Sequence, residues 1–257
     1  MYLKKDFSTK YLVSKRLLLY YSINQLNNGG GEFPLIQYTR DFKDAIYGQF
    51  ARIGKSLSSP RRLEILELLS QGPKTVEMLA KETSMSIANV SQHLQTLLEA
   101  RMVRFHKKGT YAIYELSNPK VSKLLLLFQD MSEDLLAEVK QIRDEFLANQ
   151  DEMEPLTIHE LHSRLQADDI VLIDVRPREE YEYEHIPGAI SVPISEIEQH
   201  LSTLPYDRQI VSYCRGKYCV YAKQAVELLR SHGFKAVRLN DGVREWKEFQ
   251  DKFLNSH

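Results

Sequence analysis

The apolar positions of this chain change period part-way along, and that change dictates two domains. Between Phe42 and Phe146 apolar residues recur at three- and four-residue spacing, the mark of amphipathic helices. Beyond Pro155 they gather into short β-branched runs separated by helical stretches. Segments of these two kinds bury their apolar faces differently, so each needs its own core, and 257 residues leave room for both. The linker is expected at residues 149–154, a polar and acidic stretch (NQDEME) followed by Pro155.

In the first half, Phe42, Ile46, Phe50, Ile53 and Leu57 mark one helix, and Pro60 opens a second that carries Leu63, Ile65, Leu66, Leu68 and Leu69 as far as Gly72-Pro73. Thr75 is placed to cap a helix over residues 76–82, and Ser86 to cap another that turns Val90, Leu94, Leu97 and Leu98 inward. Residues 102–105 and 111–116 alternate as strands around His106-Lys107-Lys108-Gly109-Thr110, which predicts a hairpin with a basic tip. Asn118-Pro119 then opens one long helix, residues 118–148. Its apolar seam runs from Val121 through Phe128 and Leu135 to Phe146 and suits pairing between chains, or packing on its own domain. In the second half, strands over 170–175, 209–213 and 236–239 alternate with helices over 158–165 and 221–232, the pattern of a parallel sheet covered on both faces.

Residues 1–40 follow neither pattern. Leu17-Leu18-Leu19-Tyr20-Tyr21 is short, Asn27-Asn28-Gly29-Gly30-Gly31 interrupts any period, and a poorly structured extension is expected, with translation starting near Leu35. Two cysteines exclude a disulfide-stapled secreted scaffold, and the apolar run from Leu124 to Phe128 is far short of the roughly 20 residues that span a bilayer. A cytoplasmic protein without membrane contact is expected. Residues 41–117 hold 11 Lys and Arg against 8 Asp and Glu, a net +3, whereas residues 118–257 hold 17 against 25, a net −8. The two halves therefore suit different partners, the first a polyanion.

A helix that enters the major groove carries short hydrogen-bonding side chains opposite its core stripe. Opposite Val90, Leu94 and Leu97 lie Ser86, Asn89, Ser91, Gln92, His93 and Gln95, with no carboxylate before Glu99. Arg104, His106, Lys107 and Lys108 on the hairpin are suited to the neighbouring DNA backbone. The stretches LSSPRRLEIL (57–66), TVEMLA (75–80) and SIANVSQHLQTL (86–97) resemble the ArsR-type winged-helix repressors over residues 41–117. The resemblance implies a homodimer on a palindromic double-stranded operator, with the helix after Asn118 contributing to the dimer. Many relatives sense metals through cysteines on the helix corresponding to 76–82 or through His and Asp near the dimer helix. Here the helix over 76–82 has neither cysteine nor histidine and Glu77 is expected in solvent, so no metal site and no cofactor are expected.

The run VSYCRGKYCVYAKQAVELL (211–229) sets Cys214 where a buried strand stops and a short loop leads into a helix. Loop amides and the helix dipole favour a thiolate there, Arg215 and Lys217 add positive charge, and Gly216 lets the loop curl. Cys219 reads more readily as an inert buried thiol, and two cysteines without a second pair make half a zinc site, with His185 or His232 as conceivable helpers. The surrounding motifs LIDVRPREEY (172–181), HIPGAI (185–190) and GFKAVRLNDGVREW (233–246) resemble the rhodanese family over residues 155–254. This resemblance implies that Cys214 accepts a sulfane sulfur as a persulfide, within a cradle of Arg215, Gly216, Lys217, Tyr218 and Cys219. Asp174, Arg176, His185, Asp241 and Trp246 take supporting positions. The sequence departs from the family at Cys219, where many members carry arginine or serine, and between Cys214 and Gly233, which is about two residues longer than usual. A wider loop also suits the oxyanion chemistry of phosphatase and arsenate-reducing relatives. Cys219 can resolve a persulfide on Cys214 into a disulfide if the loop brings the sulfurs together.

The fold class expected is therefore a mainly α winged helix-turn-helix followed by an α/β rhodanese-like domain with a parallel sheet. The function expected is DNA-binding regulation linked to a reactive cysteine that transfers or senses sulfane sulfur from a donor such as thiosulfate or a persulfide. Two alternatives stand beside it: an active sulfurtransferase with an accessory DNA-binding domain, and a non-catalytic interaction module.

Overall fold

A computed structural model describes residues 33–147 and 154–254. The chain divides into two units, one ending at Arg52 and one running from Ile53 onward. The described part of the first belongs to helix α1 (Phe33–Leu57), on which Phe42, Tyr47 and Phe50 are exposed. Residues 33–40, expected within the unstructured extension, are thus helical; Pro34 sits in the first turn, where a missing N–H leaves no hydrogen bond unmade. The expectations for residues 1–32, and for most of the linker, lie outside the described residues.

In the second unit, α2 (Pro60–Ser70), α3 (Val76–Thr83) and α4 (Ile87–Glu99) bury Ile65, Leu66, Leu79, Val90, Leu94 and Leu97 in one core. The caps form as the sequence specifies. Thr75 Oγ1 accepts from the Met78 amide and Ser86 Oγ from the Asn89 amide, while Ser84 turns the chain between the helices at φ +53°. Strands β2 (Val103–Lys108) and β3 (Tyr111–Leu116) form the hairpin, and a two-residue strand, β1 (Lys74–Thr75), pairs on the free side of β3.

The single helix expected over 118–148 is two. Helix α5 (Pro119–Leu135) ends at Leu136, whose backbone is extended, and α6 (Ala137–Leu147) follows. On an unbroken helix Glu133 and Arg143 would sit about 15 Å apart along the axis. The break lets Arg143 Nη1 donate to Glu133 Oε1 at 2.8 Å.

The C-terminal half is a four-stranded parallel sheet of order β5-β4-β6-β7, from β4 (Ile170–Asp174), β5 (Ile190–Ser191), β6 (Gln209–Tyr213) and β7 (Ala236–Arg238). Alternation along β4 and β6 sends Ile173 and Ile210 to one face, against Ile197 of α9 (Ile197–His200) and Ala225, Val226 and Leu229 of α10 (Tyr221–Ser231). Leu172, Val211 and Tyr213 face the other side, against Leu161 of α7 (Ile158–Gln166) and Trp246 of α11 (Val243–Leu254). Helix α7 is opened by a capping box between Thr157 and Glu160. A short helix, α8 (Arg178–Tyr183), follows β4 and supplies the buried Glu180. No helix among the described residues is long and apolar enough to cross a membrane.

Candidate functional site

The end of β6 is fixed from below before the cysteine loop begins. Tyr213 Oη donates to Asp174 Oδ2 at 2.7 Å and accepts from the Ile186 amide at 3.1 Å; burial, then the Asp174 charge, pushes its phenol well up. Arg176, 1% exposed, binds the same carboxylate through Nε and Nη2 and also donates to the Glu184 carbonyl and to Gln71 Oε1 of the winged-helix half. His185 holds the turn through Nδ1 against the Tyr181 carbonyl at 2.9 Å.

Cys214 follows, 1% exposed and disulfide-bonded to Cys219 across a Cα separation of 6.2 Å. The loop brings the two sulfurs together, which was the condition on a resolving role for Cys219. Two glycines make the turn possible. Gly216 sits at φ +124°, and a Cβ on Gly242 would lie 2.8 Å from the Cys214 carbonyl oxygen, a distance no side chain tolerates. Asp241, just before Gly242, is half-buried, and desolvation followed by the nearby Glu245 charge pushes its carboxyl up to about 6.

The side chains between the two cysteines reach the winged-helix half. Arg215 donates through Nε to Glu180 Oε2 at 3.0 Å and through Nη2 to Glu180 Oε1 at 2.6 Å, and Nη2 also pairs with Glu82 at the end of α3. Lys217 Nζ donates to Asp130 at 2.9 Å and Glu133 at 3.2 Å, both on α5, and Tyr218 Oη donates to Glu133 at 2.9 Å. Lys74 of β1, 2% exposed, completes the network with Glu82 at 3.0 Å and Glu180 at 2.7 Å. Burial opposes ionisation of Glu180, yet Arg215 and then Lys74 hold its carboxyl below the ordinary range. Lys217 is likewise held above its ordinary value by Asp130 and Glu133 despite burial. Arg215 and Lys217, expected from their spacing to add positive charge at Cys214, are instead each compensated by two carboxylates.

The other candidate residues lie on the winged-helix half. Ser86, Asn89, Ser91 and Gln92 are exposed on α4, although the Ser86 and Ser91 hydroxyls are engaged by the cap and by the Ile87 carbonyl. His93 is half-buried, and desolvation followed by the charges of Arg62 and Arg61 lowers its pKa. Arg104 pairs with Glu115 across the hairpin at 3.0 Å. Lys107 and Lys108 are exposed and make no ion pair among the described residues. Nor do those residues include a group of three His, Cys, Asp or Glu placed to hold a metal.

Similarity to known proteins fits this geometry. The family of bacterial regulatory proteins of arsR type matches residues 59–104, and the rhodanese-like domain family matches residues 157–249. The HTH-type transcriptional regulator Rv0324 of Mycobacterium tuberculosis is 41% identical over 207 residues, which span 80% of this chain and 91% of that protein. The chain belongs to the ArsR-type winged-helix transcriptional regulators fused to a rhodanese-like domain. The thiosulfate:glutathione sulfurtransferase of Homo sapiens is 35% identical over 109 residues, 36% of this chain and 92% of that protein. A solution structure of a homodimeric winged helix-turn-helix DNA-binding domain from Mycobacterium bovis is 33% identical, with a TM-score of 0.36, and covers 43% of this chain and 94% of that one.

In this ArsR–rhodanese regulator, Lys74 and Glu82 fall inside the arsR match and Glu180, Arg215 and Lys217 inside the rhodanese match. Asp130 and Glu133 fall between the two. Nothing local in the sequence marks Lys74, Glu82, Asp130, Glu133 or Glu180 as part of the site. The partners of the Lys74–Glu180 pair are 106 residues apart and those of Arg215–Glu82 are 133 apart, so no local pattern announces either.

Proposed function

We propose that this regulator binds double-stranded operator DNA in the cytoplasm as a homodimer, and that its affinity follows the sulfur state of Cys214 and Cys219. The observation that carries this reading is the loop between the two cysteines, whose Arg215, Lys217 and Tyr218 hold carboxylates of the DNA-binding half. Opening or closing the bond between Cys214 and Cys219 moves the backbone that carries those three side chains and so changes the strength of contacts that persist in both states. Allosteric linkage of that kind requires contacts that differ between two states, and these ion pairs supply a set that can differ.

The chemistry begins from the reduced pair. The Cys214 thiolate attacks the outer sulfur of a sulfane donor such as thiosulfate or a persulfide. A Cys214 Sγ–S bond forms, the donor S–S bond breaks, and sulfite or a thiolate leaves with the electron pair. The Cys219 thiol then attacks Cys214 Sγ, loses its proton, and expels the added sulfur as hydrosulfide. Two thiols become one disulfide and one sulfane sulfur becomes sulfide. A cellular dithiol restores the reduced state by exchange.

DNA contact rests on Asn89 and Gln92 for the base edges, with Ser86, Ser91 and His93 beside them, and on Lys107, Lys108 and Arg104 for the backbone. Homodimerisation rests on the exposed apolar residues Leu127, Met131 and Leu135 of α5 and Ile142 and Phe146 of α6. The test is the mass of the Cys214 and Cys219 peptides after polysulfide treatment of the reduced protein. It predicts added sulfur on Cys214 in Cys219→Ser, a disulfide in the wild type, and neither in Cys214→Ser. Unmodified thiols in all three would leave the rhodanese-like domain as a passive interaction module. Continuous thiosulfate turnover with no effect on DNA binding would favour the sulfurtransferase reading.

A further inference from the structure

The surroundings of the cysteine loop bear on which sulfur compounds Cys214 accepts. Arg215 and Lys217 are the two cations between the cysteines, and both already hold two carboxylates. The Glu245 carboxylate stands 3.1 Å from the position a Cβ on Gly216 would take. A cavity of about 280 Å³ beside the loop is lined by Asp130, Asp241, Glu245 and Glu248 against Lys217 and Lys252. A thiosulfate dianion approaching through this region meets more anionic than cationic groups. To reach Arg215 or Lys217 it must displace a protein carboxylate, and the buried Arg244, whose Nη2 lies 3.4 Å from the Arg215 carbonyl, stands between the Glu67 and Glu245 carboxylates. An uncharged sulfane sulfur meets neither obstacle.

We infer that Glu82 and Glu133 are specificity-determining residues: by holding Arg215 and Lys217 they make Cys214 favour uncharged sulfane sulfur over oxyanion donors such as thiosulfate. This rests on the reading of Cys214 as a sulfur acceptor. With dimethyl trisulfide as the uncharged donor, the Cys214 thiolate attacks the central sulfur and methanethiolate leaves with the electron pair. Cys219 then attacks Cys214 Sγ, gives up its proton, and releases methyl hydropersulfide as the disulfide closes. Donor choice then lies with side chains of the DNA-binding half. The domain that is regulated thereby sets what its regulator favours.

The experiment uses the reduced full-length protein and measures alkylation of Cys214 by iodoacetate, an anion, relative to iodoacetamide, its uncharged analogue, by peptide mass. Removing one nearby unit charge should raise that ratio roughly tenfold in Glu133→Gln and in Glu82→Gln. Glu77→Gln, which changes an exposed carboxylate on the same helix as Glu82, should leave it at the wild-type value. Glu133→Gln keeps an acceptor for Tyr218, so it remains informative if Glu82→Gln, in the more buried network, fails to fold. In parallel, wild-type protein should take sulfur faster from dimethyl trisulfide than from thiosulfate, and Glu133→Gln should narrow the gap. Equal ratios in all variants, or thiosulfate reacting at least as fast as the trisulfide in the wild type, would overturn the specificity alone. No adduct from either donor would overturn the sulfur-acceptor reading and this inference with it.

Discussion

Lys107 and Lys108 at the hairpin tip and Arg215 and Lys217 in the cysteine loop are similar on paper, two cations on a short turn beside a glycine. In space they are opposites. The hairpin lysines stand in solvent with no ion pair among the described residues, whereas Arg215 and Lys217 each hold two carboxylates, three of the four from the winged-helix half. A solvated cation is available to an external polyanion, where it exchanges counterions for phosphate. A compensated one is committed to internal geometry. Local sequence therefore reports that a positive charge is present, and the fold decides whether it serves a ligand or a joint.

The contrast breaks first, and most heavily, in the buried network. Glu180→Ala leaves Lys74 and Arg215 buried with Glu82 as their remaining partner, and should lower stability by about 3–5 kcal/mol in denaturant unfolding of the whole chain. Lys217→Ala, whose partners Asp130 and Glu133 are 66% and 12% exposed and whose loss leaves Glu133 paired with Arg143, should lower it by about 1–2 kcal/mol. Equal losses for the two would show that the joint has no buried centre.

On the DNA side the effects are intermediate and differ in kind. Asn89→Ala or Gln92→Ala should weaken operator binding by about 1–3 kcal/mol while leaving binding to random duplex unchanged. Lys107→Ala combined with Lys108→Ala should weaken both alike and reduce the salt slope by about 2. Titration of DNA at several salt concentrations separates these. Matching losses on specific and random DNA for all four substitutions would remove the division between base readers and backbone readers.

The smallest effect concerns Asp241. Its carboxyl is raised from 3.8 to about 6 in the folded chain, so between those values the folded state binds the proton more tightly than the unfolded one, and stability falls as pH rises through that window. Above about pH 6 the folded chain carries the full penalty. Asp241→Asn should therefore raise stability by about 1 kcal/mol at neutral pH, with the gain fading as the pH falls below about 6 toward 4. A gain independent of pH would assign the effect to packing.

Much of this architecture was legible in advance because its causes are local. Thr75, Ser86 and Asn118 cap helices through their own side chains, and the runs in β4, β6 and β7 alternate as a covered sheet requires. The break at Leu136 was not legible, since α5 and α6 share one apolar period and Arg143 must fold back to Glu133 before the break has a reason. The two-residue strands β1 and β5 are too short to show alternation. At the site, Cys214 announced itself through the strand, loop and helix around it. The carboxylates that occupy Arg215 and Lys217 come from α3, α5 and α8, distant in sequence, and only the tertiary fold assembles them.

The most direct test of linkage between sulfur chemistry and DNA is the ratio of operator dissociation constants for one preparation of the full chain, dithiol-reduced and then disulfide-closed. The duplex would be selected from a random pool by both forms. The ratio should depart from unity by at least about fivefold, the lower end of ordinary allosteric coupling, and collapse to unity in Cys214→Ser. Equal dissociation constants for the reduced and closed wild type would contradict it.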